Sequence, residues 1–119
     1  MNMFINLLKR AYYEKYTKKS YSISNVDLII DRIFRNIHKG VYMDVGCNHP
    51  IKYNNTYLLN KRGWSGINID LDKTCINEFN IFRKKDHNIQ ELVGSIDGEE
   101  KEIYYYHERS AINTISKPL

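Results

Sequence analysis

Apolar residues recur at helical spacing along the first part of the chain, at Phe4, Leu7, Leu8, Ala11, Tyr12 and Tyr16. Lys9, Arg10, Lys15 and Lys18 fall between or just after them. Steps of three and four residues predict an amphipathic helix over 3–18. Such a face can meet a membrane surface or a partner's groove, but packing across its own domain is the expectation. A second stripe follows at Val26, Ile29, Ile30, Ile33, Phe34 and Ile37. Ser24 with Asp27 three residues later resembles a capping box, and Lys39-Gly40 is a cation followed by a glycine stop. This helix is expected to lie against the sheet that begins next.

The pattern then changes period. Val41-Tyr42-Met43-Asp44-Val45-Gly46-Cys47-Asn48-His49-Pro50 reads as a short buried strand that delivers a carboxylate and breaks into a tight glycine turn. Asn54-Asn55-Thr56 offers N-caps for a short helix through Tyr57, Leu58 and Leu59, stopped at Lys61-Arg62-Gly63. Gly66-Ile67-Asn68-Ile69-Asp70 is a second strand ending in an acid, so the helix between is a right-handed crossover joining parallel strands. Asp72 or Thr74 caps a second crossover helix through Ile76 and Phe79. His87–Val93 reads as a third strand, Gly94-Ser95 breaks it, Asp97-Gly98 is a turn, and Lys101–Tyr106 is a further strand. The rest, Ala111–Leu119, has no clear period. The fold class is α/β, with an N-terminal helical segment over 1–24 and the sheet-bearing unit over 25–119.

Two strand ends carry the candidate chemistry. From Gly46 to Asp70 is 24 residues, near the offset of about 20 between the glycine turn and the ribose acid of a nucleotide-binding βαβ unit. Gly46 would let the backbone approach a ligand with no side chain in the way. The N–H groups of Cys47 and Asn48 would point into the same opening. Asp44 would accept hydrogen bonds from a cofactor, directly or through water, and Asp70 would take both ribose hydroxyls. Leu71 would pack on one face of an adenine ring, and Ser95, or an amide near it, would meet the base edge. Asp-x-Gly also makes ordinary turns. On spacing alone, an adenosine-cofactor site and a turn with structural acids both stay open.

The stretch from Tyr42 to Ser95 resembles the FkbM family of S-adenosylmethionine-dependent methyltransferases. The resemblance is carried by Met43–Pro50, by Asn55-Thr56-Tyr57-Leu58, and above all by Lys61-Arg62-Gly63-Trp64-Ser65-Gly66-Ile67-Asn68-Ile69-Asp70. Ala111-Ile112-Asn113-Thr114 looks like a later family segment, so the likeness spans roughly 26–116. It implies a Rossmann-like class I methyltransferase fold, with Asp44 and Gly46 in the cofactor loop and Asp70 as the ribose acid. S-adenosyl-L-methionine is the implied cofactor, and methyl transfer to an oxygen of a glycan or small natural product the implied reaction. Pro50 stands where many methyltransferases have a glycine, although a subset of the family has His-Pro here. Gly-x-Gly-x-x-Gly is absent, which argues against a dinucleotide dehydrogenase. Family members continue into a strand bearing an Asp-Val-Glu-Gly-like motif, whereas this chain stops at Leu119. The expectation is therefore a partial fold lacking its C-terminal strands, a gene fragment or a half completed by another copy or chain, with its first strand at an open edge. The acceptor-contacting residues are expected in the absent half. A degenerate, non-catalytic interaction module pairing through that edge or through the basic N-terminal helix is the alternative, and a homo-oligomer through the open edge is one partner it allows.

Charge and composition narrow this further. Net charge is +4, but residues 1–40 carry eight Lys/Arg against three acids and residues 41–119 ten against eleven. The basic excess thus belongs to the N-terminal helices, where a solvated face is the expectation. It is not interleaved with a recognised nucleic-acid motif, so no nucleic-acid partner is expected. Only Cys47 and Cys75 are present, with no metal-ligand spacing, so neither a disulfide framework nor a metal site is expected. No apolar run nears the ~20 residues of a membrane span. No stable membrane insertion is expected, and the expected location is cytoplasmic.

Several residues admit a plainer role. His49, before a proline, is expected to be structural or exposed rather than a base. Cys47 lacks an evident base at fixed spacing, so a small residue fitting the turn is favoured over a nucleophile. Asp72 either shares the ribose or caps a helix. Trp64 is expected to be a buried packing aromatic rather than a wall of the cofactor cleft, and Tyr104–Tyr106 to alternate across a half-buried strand rather than form a base-stacking platform.

Overall fold

A computed structural model of the chain describes residues 3–16, 18–110 and 113–117, with side chains at 14–16 left aside. Its frame is a three-stranded sheet in the order β1-β2-β3, formed by β1 (Val41–Val45), β2 (Ser65–Asp70) and β3 (His87–Gln90). All pairing is parallel, with Asp44 opposite Asn68, Val45 opposite Ile69, and Asp70 opposite Gln90. The crossovers are α3 (Tyr57–Lys61) and α4 (Lys73–Phe82), preceded by α1 (Met3–Tyr16) and α2 (Val26–Ile33). The architecture is therefore α/β, a small parallel sheet flanked by helices, with β2 central and β1 and β3 at its edges.

Local chemistry sets these boundaries. Asp72 caps α4 by accepting from the Thr74 N–H at 2.9 Å. Asn54 Oδ1 accepts the Thr56 N–H at 2.9 Å where α3 begins. Gly66 must be glycine, because a Cβ there would stand 2.3 Å from the Tyr42 carbonyl oxygen. Gly40 likewise lies under Trp64, whose ring a Cβ would meet at 2.4 Å. One small core joins Tyr42, Leu59 and Trp64, with Ile30 of α2 against it; another joins Cys47, Ile76 and Phe79. Trp64 is a packing residue, donating Nε1–H to the Ile37 carbonyl.

Five expectations need correction. The apolar face of α1 does not pack across its own domain: Phe4, Leu7, Leu8 and Tyr12 are all more than half exposed. Lys18 binds Asp31, and Ser20 and the Tyr21 N–H bind Asp27, so the chain after α1 is tied to α2. The molecule measures 63 × 35 × 25 Å with a radius of gyration of 18.4 Å, against roughly 13–14 Å for a compact domain of this length. Second, α2 buries only part of its apolar stripe, with Ile30 against the Tyr42–Trp64 core and Phe34 edge-on to the Trp64 ring. Val26, Ile29 and Ile33 are exposed, and the buried positions are Asp27 and Asp31. Asp31 accepts from Arg62 at 2.8 Å, and that bond turns the acidic face toward α3. Third, Ser24 caps nothing; the Asp27 N–H donates to Ser22 Oγ at 3.3 Å instead. Fourth, β3 ends at Gln90, with the Glu91 N–H making a last bond to the Asp70 carbonyl at 3.1 Å where β2 stops. Lys101–Tyr106 forms no strand either. A single antiparallel bridge, Tyr104 with Thr114, stands there, and Tyr105 and Tyr106 are exposed. Ala111 and Ile112, part of the family-like segment, lie outside the described residues.

Candidate functional site

Parallel pairing brings the C-terminal ends of β1 and β2 to one edge, and with them Asp44 and Asp70. Side chains two apart on a strand share a face, so Asp44, its partner Asn68, and Asp70 lie on the same side of the sheet. Gly46 turns the chain with φ +74°, a conformation glycine adopts without strain. A Cβ on it would meet no atom within 4 Å.

The backbone of this turn is already bonded. The Gly46 and Cys47 N–H groups both donate to the Ile69 carbonyl, at 2.8 and 3.1 Å. The Asn48 N–H donates to Asp70 Oδ2 at 2.9 Å, and the Asp72 N–H to Asp70 Oδ1 at 2.9 Å. The amides of Cys47 and Asn48 thus do not point into an opening. They brace the turn against β2 and aim Asp70, whose oxygens each keep a further lone pair.

A cavity of about 320 Å³ opens beside them. Gly46, Asn48, Asp70 and Leu71 line it; Asp44, Cys47 and Ser95 do not. Leu71, Leu92, Val93 and Ile103 give it apolar walls, while Asp70, Asp72 and Glu91 supply carboxylates. Arg109 is its cation, and that guanidinium is paired with Glu78 at 2.6 Å. The Asp72 carboxylate has two duties, capping α4 and accepting the Arg109 N–H at 2.7 Å.

The remaining sequence candidates sit just behind this cavity. Asp44 Oδ2 accepts from Asn54 at 3.1 Å and Thr56 at 3.3 Å. Burial raises its pKa, those two hydrogen bonds offset part of the rise, and the nearby Asp70 charge adds to it. Cys47 is buried against Ile76 and Phe79, and burial with the Asp70 and Asp44 charges pushes its thiol far up, so it is no nucleophile. Cys75, fully buried, is raised to about 12, chiefly by burial and then by Asp70 and Asp72. His49 Nδ1 accepts the backbone N–H groups of Ile51 and Lys52 at 3.0 and 2.9 Å, so the ring staples its own loop. Burial lowers its pKa, against the pull of Glu78 3.5 Å from Nε2. Ser95 is exposed, beyond the end of β3.

Arg83 is the residue the sequence hid. Its side chain is fully buried and donates to the Pro50 carbonyl, Asn54, Tyr42 and Thr56, with Asp86 3.6 Å away. One guanidinium thereby ties the Gly46–Pro50 loop, the start of α3 and β1 to the end of α4. Asp86 extends the network to the Gly66 N–H and Asn68, and the Tyr42 hydroxyl, buried and bonded to Asp86, is raised to about 12. In Phe82-Arg83-Lys84-Lys85 it looks like one of a run of solvated cations, and no spacing marks it. Tyr105, also at the cavity, falls in the segment that reads as a strand and Arg109 just after it, and no spacing ties either to the site.

Among the described residues, no cluster of His, Cys, Asp or Glu is placed to hold a metal ion, and no helix is long and apolar enough to cross a membrane. Comparison with known proteins returns no matching family model, curated protein or solved structure.

Proposed function

We propose that the cavity at the sheet's C-terminal edge binds S-adenosylmethionine, and that the chain is a Rossmann-like methyltransferase or the cofactor-binding part of one. The supporting observation is the pairing of a twice-braced Asp70 with a turn whose N–H groups are already bonded. A dinucleotide or nucleoside triphosphate needs free backbone amides for its phosphates. An adenosyl sulfonium needs none, and its positive charge suits a cavity with carboxylates at Asp70, Asp72 and Glu91. Asp70 would hold the ribose hydroxyls and Leu71 would pack on the base. The resemblance at Lys61–Asp70 points the same way.

When bound, this cofactor supplies a methyl group to an acceptor oxygen by in-line displacement at the sulfonium carbon. The chain's part is to hold donor and acceptor in attack geometry. The acceptor on this reading is a hydroxyl of a glycan or small molecule. His49 is not its base, because Nδ1 is engaged by two amides.

Isothermal titration with S-adenosylmethionine tests this. Binding that Asp70→Ala weakens at least tenfold supports it, and no heat at millimolar ligand overturns it. A second reading, an interaction module, is favoured by the outer strand β1, with Val41, Met43 and Val45 all more than half exposed. An unpaired apolar edge is a template for another chain. A mass that rises with concentration, with no cofactor binding, would favour that reading.

A further inference from the structure

We propose that Ile103–Ser110 is the outer jaw of the cavity, with Tyr105 stacking on the planar base of an adenosyl ligand opposite Leu71 and Arg109 holding the jaw closed. The ligand rests on the adenosyl reading above; the clasp stands on this chain's own contacts. Ile103 and Tyr105, two residues apart, both line the cavity that Leu71 and Leu92 line from the sheet side. Tyr105 is 56% exposed, so one side of its ring is open to a stacking partner. Every nucleobase offers such a face, and alkyl and aromatic walls on two sides form a slot for it.

Arg109 fixes this segment through three different groups. Its N–H donates to Asp72 Oδ2 at 2.7 Å, its carbonyl accepts from Asn48 Nδ2 at 3.2 Å, and its guanidinium pairs with Glu78 at 2.6 Å. Its three partners come from the N-cap of α4, the cofactor turn and the body of α4. Arg109 also has φ +57°, an uncommon conformation for a residue with a side chain. A residue held that way by three separate bonds is over-determined by its surroundings. Asp72 and Asn48 flank Asp70, so closing the jaw and aiming the ribose acid draw on the same residues.

Two measurements on the full chain test this. Titration with adenosine and with S-adenosylmethionine should show Tyr105→Ala weakening both about tenfold, the order expected for one stacked base, while Tyr105→Phe binds like wild type. Without ligand, hydrogen–deuterium exchange over 101–110 should speed about tenfold or more in Arg109→Ala, with exchange in β1 and β2 unchanged. Wild-type affinity in Tyr105→Ala overturns the stacking role. Unchanged exchange in Arg109→Ala overturns the clasp. A wild-type chain that binds neither ligand overturns the adenosyl reading and the stacking role together, leaving exchange to judge the clasp.

Discussion

Tyr42, Asp44, Asn68 and Asn88 face the helices, whereas Val41, Met43, Val45, Ile67 and Ile89 face away from them. A sheet with one wet side ordinarily hides its apolar residues and shows its polar ones. Here the covered side is the polar one. It is held by Arg83 and Asp86, whose bonds reach Tyr42, Asn68, the Gly66 N–H and the loop at Pro50. The bare side is apolar, with Val41 75% and Met43 64% exposed. Right-handed crossovers put both helices on one side of the sheet, and buried hydrogen bonds line much of their contact with it there. The strands otherwise read like those of a sheet covered on both faces.

The largest expected effect comes from breaking the covered side. Arg83→Met leaves Asp86 buried without its cation and should cost about 3–5 kcal/mol, seen as a lower urea midpoint; a loss under about 1 kcal/mol would show that apolar packing holds this side. Gly66→Ala drives a methyl into the Tyr42 carbonyl and should cost about 1–3 kcal/mol by the same measurement.

Acid titration separates two kinds of carboxylate. Burial pushes Asp27 and Asp31 up, but hydrogen bonds to Asp27 from Ser20 and the Tyr21 N–H, and Lys18 and Arg62 at Asp31, outweigh it and leave both below the ordinary value of 3.8. Their stabilisation is complete above that value and lost as pH falls through the lowered one. Asp44, raised by burial, runs the other way: its ionised form costs stability, and the cost shrinks as pH falls below its raised value and is gone below 3.8. Urea midpoints between pH 3 and 7 should therefore show Asp31→Asn losing most at the neutral end and Asp44→Asn gaining most there. The smallest effect is expected on the bare side, where Met43→Lys should shift stability by no more than about 0.5 kcal/mol. A loss several times larger, deepening with protein concentration, would mean that a second copy covers that face.

The frame was legible in the sequence because it rests on short-range signals. The glycine turn at Gly46, the stop at Gly63 and the Asp72 cap each act within a few residues, and the 24-residue spacing places Gly46 and Asp70 at one edge. What escaped depends on partners far along the chain. The stripe of α2 predicts an apolar buried face, yet Arg62, 31 positions after Asp31, turns the acids inward. Arg83 reaches back 33 positions to Pro50, and no local pattern records such a bond. Cys47 fits its turn as expected, buried against Ile76 and Phe79 with its N–H bonded to the Ile69 carbonyl. Ser95 fell short because β3 stops at Gln90. The cavity's outer wall went unseen because Ile103 and Tyr105 occupy an extended segment with one bridge and no ladder.

The internally bonded turn also bears on competition. ATP and its relatives share the adenosine that the proposed site would read, and they outnumber most other adenosyl compounds wherever metabolism runs. Because Ile69 and Asp70 already hold the N–H groups of Gly46, Cys47 and Asn48, a polyphosphate tail would find three carboxylates and no donor left over from that backbone. Discrimination against the abundant rival would then come from what the peptide chain withholds.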